Sequence, residues 1–196
     1  MFTAHGLVAL TILLGVGAST SSAQREREAQ TIEMETYTVS VPPGGGWKVD
    51  RDKKGGTIRF QKRNPITIIQ VSYNRVVKEE MLQWGEEEVA SDYRQGEVGH
   101  MMVRGAIERT YVPKDVKQDT TSLDGKKFYT LAYRTSGEPF GNPDGQAILY
   151  LYFPPDFREK HTFYLFLMHV VIGDQDSSKQ GDFAPIHQVI GSFRLR

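Results

Sequence analysis

Ala147-Ile-Leu-Tyr-Leu-Tyr-Phe153 and Thr162-Phe-Tyr-Leu-Phe-Leu-Met-His-Val-Val-Ile172 decide the fold. Both runs are apolar at odd and even positions alike. In the first, Ala147, Leu149, Leu151 and Phe153 oppose Ile148, Tyr150 and Tyr152. A strand with two apolar faces belongs in the middle of a sheet that is covered on both sides. Leu151 and Phe166 are therefore expected deep in the core. His169 sits inside the second run and reads as a buried core histidine.

Working outward, the flanks carry the period of strands. Tyr37, Val39 and Val41 alternate before Pro42-Pro43. Gly44-Gly45-Gly46 reads as a loop, followed by Trp47-Lys48-Val49. Thr57–Lys62 alternates again. In Ile66–Tyr73, Ile66, Ile68 and Gln70 oppose Thr67, Ile69, Val71 and Tyr73. The start of the chain thus predicts an antiparallel meander. Lys78–Gln95 has the other period, with Met81, Trp84, Val89 and Tyr93 at helical spacing, and predicts one amphipathic helix ended by Gly96 and Gly99. Met101–Asp115 reads equally as helix or strand. Asp124-Gly125 between Val116–Leu123 and Lys126–Ser136 is a hairpin signal. Asn142-Pro143-Asp144-Gly145 predicts a type I turn. Ile186, Val189, Ile190 and Phe193 stand at i, i+3, i+4 and i+7, so the chain is expected to end in a helix that Asp182 can cap. Three strands, a helix, more strands and a final helix fit an α+β protein. The expected form is a three-layer α/β/α sandwich with a mainly antiparallel central sheet.

The first 23 residues set the expected location. Ala4–Gly17 is apolar and uncharged, and Ser21 and Ala23 occupy the small-x-small places of a cleavage site. Gln24-Arg-Glu-Arg-Glu28 then turns abruptly to charge. This is the layout of a signal peptide, although no Lys or Arg precedes the apolar run. The run is shorter than the roughly 20 apolar residues of a membrane span. The expected organisation is a signal peptide at 1–23, a flexible lead-in at 24–34 and a single domain at 35–196. The expected location is exported, periplasmic or secreted, with no stable membrane span after cleavage.

Bulk chemistry narrows the function. The chain has 24 Lys and Arg against 24 Asp and Glu. A net charge near zero gives no electrostatic reason to expect nucleic acid or an anionic membrane as partner. The chain contains no cysteine. Disulfides, a lipobox, thiol catalysis and thiolate metal sites are therefore excluded.

Three stretches carry a family resemblance. The first is Tyr37-Thr-Val-Ser-Val-Pro42 with the following Gly-Trp47-Lys-Val and Gly56-Thr-Ile-Arg-Phe60. The second is Leu123-Asp-Gly-Lys-Lys-Phe-Tyr129. The third is His161-Thr-Phe-Tyr-Leu-Phe with Ile190-Gly-Ser-Phe-Arg-Leu195. Over about Glu35–Arg196 the chain resembles the Mog1/PsbP-like fold family, including exported bacterial PsbP-like and DcrB-like proteins. That group is not defined by shared catalytic residues. The resemblance implies an α/β/α sandwich and transfers no activity. The loop Pro43-Gly44-Gly45-Gly46 is an enlargement relative to that pattern.

Catalytic and metal patterns are weak. Gly-x-Ser-x-Gly and His-Glu-x-x-His are absent. Ser177-Ser178 falls in a polar loop. Asp174, Asp176 and Asp182 lack the glycine and glutamate of a calcium loop. Gly44-Gly45-Gly46 leads into a strand, whereas a phosphate cradle leads into a helix. Glu86-Glu87-Glu88 reads as a solvated helix face. His161 and His169 share a strand face but stand roughly 26 Å apart at about 3.3 Å per residue. The candidate metal ligands are Asp156, Glu159 and His161. Phe140, Tyr152 and Phe157, at strand or turn ends beside Pro154-Pro155, are the candidate docking aromatics.

The reading that follows is an exported, non-catalytic binding or accessory module that docks to a partner protein or envelope component, with no cofactor. One alternative is a small metal-dependent hydrolase using His161 and nearby carboxylates. The other is a carrier of an apolar ligand between the sheet and the Lys78–Gln95 helix.

Overall fold

The computed structural model describes residues 30–95, 112–136, 144–172 and 181–196. Its strands are β1 (Thr31–Glu33), β2 (Tyr37–Ser40), β3 (Lys48–Asp52), β4 (Thr57–Lys62), β5 (Thr67–Arg75), β6 (Val112–Leu123), β7 (Lys126–Ser136), β8 (Gly145–Tyr152), β9 (Thr162–Val171) and β10 (Arg194–Leu195). Its helices are α1 (Glu86–Gln95), α2 (Phe157–Lys160) and α3 (Ala184–Ser192), with a 3-10 turn at Glu79–Met81.

The two doubly apolar runs become β8 and β9. They lie at the centre of an antiparallel sheet of order β3-β4-β5-β9-β8-β7-β6. β9 is the fourth of the seven strands, and each of its residues except Val171 is buried. Leu151 and Phe166 are both 0% exposed and point to opposite faces of the sheet.

One face packs against α3 and a small second sheet of order β1-β2-β10. Phe193 is the hub of that layer. Its ring lies 4.9 Å from Tyr164, 5.1 Å from Phe166 and 5.7 Å from Tyr37, between centroids. The Tyr37 hydroxyl donates to the Val71 and Gly56 carbonyls, at 3.2 and 3.1 Å. The Ser40 amide donates to Ser192 Oγ at 2.8 Å, which ties β2 to the end of α3. The other face packs against Met81, Val89 and Ala90 from the 3-10 turn and α1. Tyr93 of α1 meets Phe163 edge-on at 4.9 Å. The result is α+β with a covered antiparallel sheet, as the sequence predicts.

Asp124 and Gly125 have φ of 53° and 73°. Positive φ at both central residues is the requirement of a type I′ turn, whose twist matches the flanking strands. Leu123 pairs with Lys126 across it, so this hairpin forms where expected.

Five local expectations need correction. β2 does not join the meander, which is β3-β4-β5; it pairs with β1 and β10 in the second sheet. Thr31–Glu33, expected in the lead-in, form β1, with Ile32 and Met34 buried. Two apolar residues are too few to announce a period, yet they suffice to close the core. The Lys78–Gln95 helix is divided: α1 starts only at Glu86. The Gly85 amide donates to the Glu88 carboxylate, half of a capping box, and three acids fill the first turn. Of the two readings left open for Met101–Asp115, its described end takes the strand one, and the hairpin strand expected from Val116 is extended back to Val112. Finally, the C-terminal helix is followed by β10, where Arg194 and Leu195 pair with Thr38 and Tyr37. Residues 1–29, and the positions Gly96, Gly99, Asn142, Pro143, Ser177 and Ser178 on which other expectations fall, lie outside the described residues.

Candidate docking cleft

A surface cleft of about 720 Å³ opens where β6, β7 and β8 meet the chain entering α3. Its walls include Val116, Lys117, Ala132, Arg134, Gln146 and Phe183. A bulge creates it. Lys114 pairs with Arg134 and Lys117 with Ala132, so Asp115 and Val116 face a single residue of β7. Such an extra residue bends the edge strand and re-aims its side chains. Asp115 takes the strain at φ 52°, a conformation that Asp tolerates better than most residues. Val116 is left 51% exposed.

The opposite wall is pinned from β8. Gln146 Oε1 accepts a hydrogen bond from the Gly181 amide at 2.8 Å. A Cβ at Gly181 would stand 3.2 Å from that same oxygen, so glycine permits the approach. Asp182 Oδ1 accepts from the Ala184 amide at 2.9 Å at the entry to α3, close to the cap expected of it. Arg134 Nε lies 3.9 Å from Asp115 Oδ2, with both side chains more than half exposed. A pair of that kind is worth little, so both charges remain available to a partner. Burial pushes the Tyr133 hydroxyl pKa upward, so it keeps its proton and serves as no base. Cations, an amide and an aromatic ring along an open groove suit recognition of a polar chain.

Further along α3, Tyr150 Oη and His187 Nε2 share a hydrogen bond of 2.6 Å, their rings edge-on at 5.8 Å. Burial pushes the Tyr150 pKa up to about 12. His169 is fully buried, and burial lowers its pKa to about 4. It stands in a row across the sheet with Ile68, Ala147 and Tyr133, and stays neutral at ordinary pH.

The metal candidates fall in one turn. Asp156 precedes α2 and pairs with Lys160 Nζ at 2.7 Å. His161 ends α2 in the left-handed region at φ 53° and lies edge-on to Phe157 at 6.3 Å. Among the described residues no three His, Asp or Glu gather as they would around a metal ion.

The docking aromatics stand differently from expectation. Tyr152 is 8% exposed and Phe157 1% exposed, so neither offers a free face. Phe157 meets Phe153 edge-on at 4.8 Å, and Phe153 stacks on Phe163 at 5.4 Å; Tyr152 packs into the core on the other face, against Phe128 and Phe193. Strand-end positions look exposed in a linear pattern, yet these rings close the ends of the two cores. Phe140 and His100 lie outside the described residues. The space for an apolar ligand beneath Lys78–Gln95 is filled by Met81, Val89, Leu149, Leu165 and Leu167. Sequence reading missed Lys117, Arg134, Gln146 and Phe183. A polar Gln146 at the head of an apolar strand was the one signal available.

No family model and no curated protein matches the chain. Among solved structures it is similar to the solution structure of cyanobacterial PsbP (CyanoP) from Synechocystis sp. PCC 6803. That likeness spans 93% of this chain and 99% of that one, at 15% identity and a TM-score of 0.49.

Proposed function

We propose that this protein is an exported, non-catalytic binding or accessory module that docks to a partner protein or envelope component. The observation that supports it is the cleft at the bulged end of β6. There Lys117, Arg134 and Asp115 are held at the surface in an open groove, and β6 is the outermost strand of its sheet. From Asp115 to Thr120 every residue of β6 is exposed. An extended segment of a partner fits such a place, because an edge offers main-chain hydrogen bonds and the groove offers side-chain contacts.

In this reading the partner-binding role belongs to the cleft, while Tyr152 and Phe157 close the core at the other end of β8. Export rests on the signal-peptide layout of residues 1–23. Among the described residues no helix is long and apolar enough to cross a membrane.

Capture from the native envelope fraction tests the docking role. Wild-type protein is expected to retain a discrete partner that the Lys117→Glu/Arg134→Glu variant loses about tenfold or more, with unchanged thermal unfolding. Equal capture by both proteins would remove the cleft from the account. N-terminal sequencing of the natural protein tests export, with Gln24 or a close neighbour expected as the first residue. An intact Met1 on cytosolic protein would overturn it.

A further inference from the structure

A neutral chain can still be strongly polarised. Residues 48–63, the β3–β4 hairpin and the turn after it, carry seven Lys or Arg against two Asp. Residues 78–92, the 3-10 turn and most of α1, carry six Asp or Glu against one Lys. β4 runs alongside β5, with Lys62 opposite Thr67 and Thr57 opposite Ser72, so Lys48, Lys62 and Arg63 stand at the head of β5 and the acidic region follows its other end. The nine residues of β5 span roughly 30 Å at about 3.3 Å each. That is nearly four Debye lengths at physiological salt, at about 8 Å each, so the head of β5 and the acidic region present separate fields.

The basic region has a distinct tip. The loop before β3, the end of β4 and the turn into β5 meet there. The Lys62 stem lies along the Gly44–Gly46 loop, within 4.0 Å of where glycine Cβ atoms would stand. Its ammonium sits 5.6 Å from the Trp47 ring centroid. The Trp47 indole N–H donates to the Pro43 carbonyl at 3.2 Å, and the ring is half-buried. Lys48 follows Trp47, and Arg63 follows Lys62, both exposed. Ile66, in the turn into β5, is 41% exposed. No Asp or Glu occurs from Thr36 to Val49 or from Lys53 to Lys78. Asp144, the described carboxylate at the head of β8, stands two strands across from β5.

Exposed Lys and Arg around a Trp and an exposed Ile, with no carboxylate among the described residues of the tip, match the needs of a bilayer interface. Tryptophan settles at headgroup depth, cations pair with lipid phosphates, and the aliphatic group enters the acyl boundary. We infer that the tip formed by Trp47, Lys48, Lys62, Arg63 and Ile66 docks reversibly on an anionic lipid surface. The acidic α1 region, at the far end of β5, is repelled by the same surface and turns the molecule tip-first. This surface is separate from the β6 cleft, so the two succeed or fail independently.

Vesicle binding tests the inference with the full chain. Trp84→Phe leaves Trp47 as the sole tryptophan, read by exciting at the red edge where tyrosine does not absorb. The probes are vesicles of phosphatidylglycerol in phosphatidylcholine, against phosphatidylcholine alone. The apolar run Ala4–Gly17 contributes to both, so the readout is the preference for anionic vesicles. At low salt the anionic vesicles should bind more tightly and shift Trp47 emission to the blue, and added salt should erase the preference. Lys48→Gln/Lys62→Gln/Arg63→Gln should weaken anionic binding on the order of 100-fold, at about 1 kcal/mol per basic residue. Arg51→Gln/Lys53→Gln/Lys54→Gln, which removes the same charge from the other end of the hairpin, should change it by less than about fivefold. Equal binding to both vesicle types, or equal losses in the two triple variants, would overturn the inference. So would capture of an acidic protein by the tip with no vesicle preference.

Discussion

β9 and β3 belong to one sheet and have opposite chemistry. β9 lies at the centre, carries no Asp, Glu, Lys or Arg, and buries nine of its ten residues. β3 lies at an edge, four of its five residues are charged, and none is buried. Both pair antiparallel, but β9 is bonded to strands on both sides and β3 to β4 alone, and β9 is covered on both faces whereas β3 leaves its residues at the surface. Strands covered on both faces hold the fold together, whereas the outer strands are free to carry charge and meet partners. Stability and recognition should therefore separate cleanly between centre and edge.

The largest effect is expected at the centre. Phe166→Ala removes a fully buried ring that touches Phe128 and Phe193 and should cost about 3–5 kcal/mol in denaturant unfolding. Leu151→Ala, on the opposite face, should cost about 2–5 kcal/mol. A loss below about 1 kcal/mol at either site would mean that its face is not closed.

The next effect is a pH dependence. His169 has a folded pKa of about 4, below its ordinary 6.5, because burial disfavours the cation. Between these values the unfolded chain binds the proton and the folded chain does not. Stability is therefore full above about pH 6.5 and falls as pH drops toward 4. From pH 7 to pH 5 the His169 contribution should be a loss of about 2 kcal/mol. His169→Gln should flatten that part of the profile; an unchanged slope would show that His169 is not the group responsible.

Smaller effects are expected away from the centre. Tyr150→Phe deletes the hydrogen bond to exposed His187 and should cost about 1 kcal/mol. Arg134→Ala breaks an exposed pair with Asp115 and should change stability by less than about 0.5 kcal/mol. A large loss at Arg134 would blur the division between centre and edge.

How much could be read from the sequence follows the same division. β8, β9 and the Asp124-Gly125 hairpin were legible because their signals are local: a composition and a turn dipeptide. The pairing of β2 with β10 was not, since Tyr37 and Leu195 meet across almost the whole chain and no local period records that contact. The break before α1 was hidden because one Glu88 carboxylate, among three acids in a row, reaches back to the Gly85 amide. Tyr152 and Phe157 were misjudged because position in a strand does not reveal the rings stacked beside it. The cleft was invisible because a single extra residue in β6 assembles it from four separate segments.

Site-directed photo-crosslinking tests the docking claim most directly. A photoreactive residue at Val116, in the cleft, is compared with one at Lys54, in the turn at the far edge of the sheet. In the native envelope fraction the account predicts a discrete adduct from position 116 and none from position 54, with both proteins unfolding as wild type does. No adduct from position 116, or the same adduct from both positions, would contradict it.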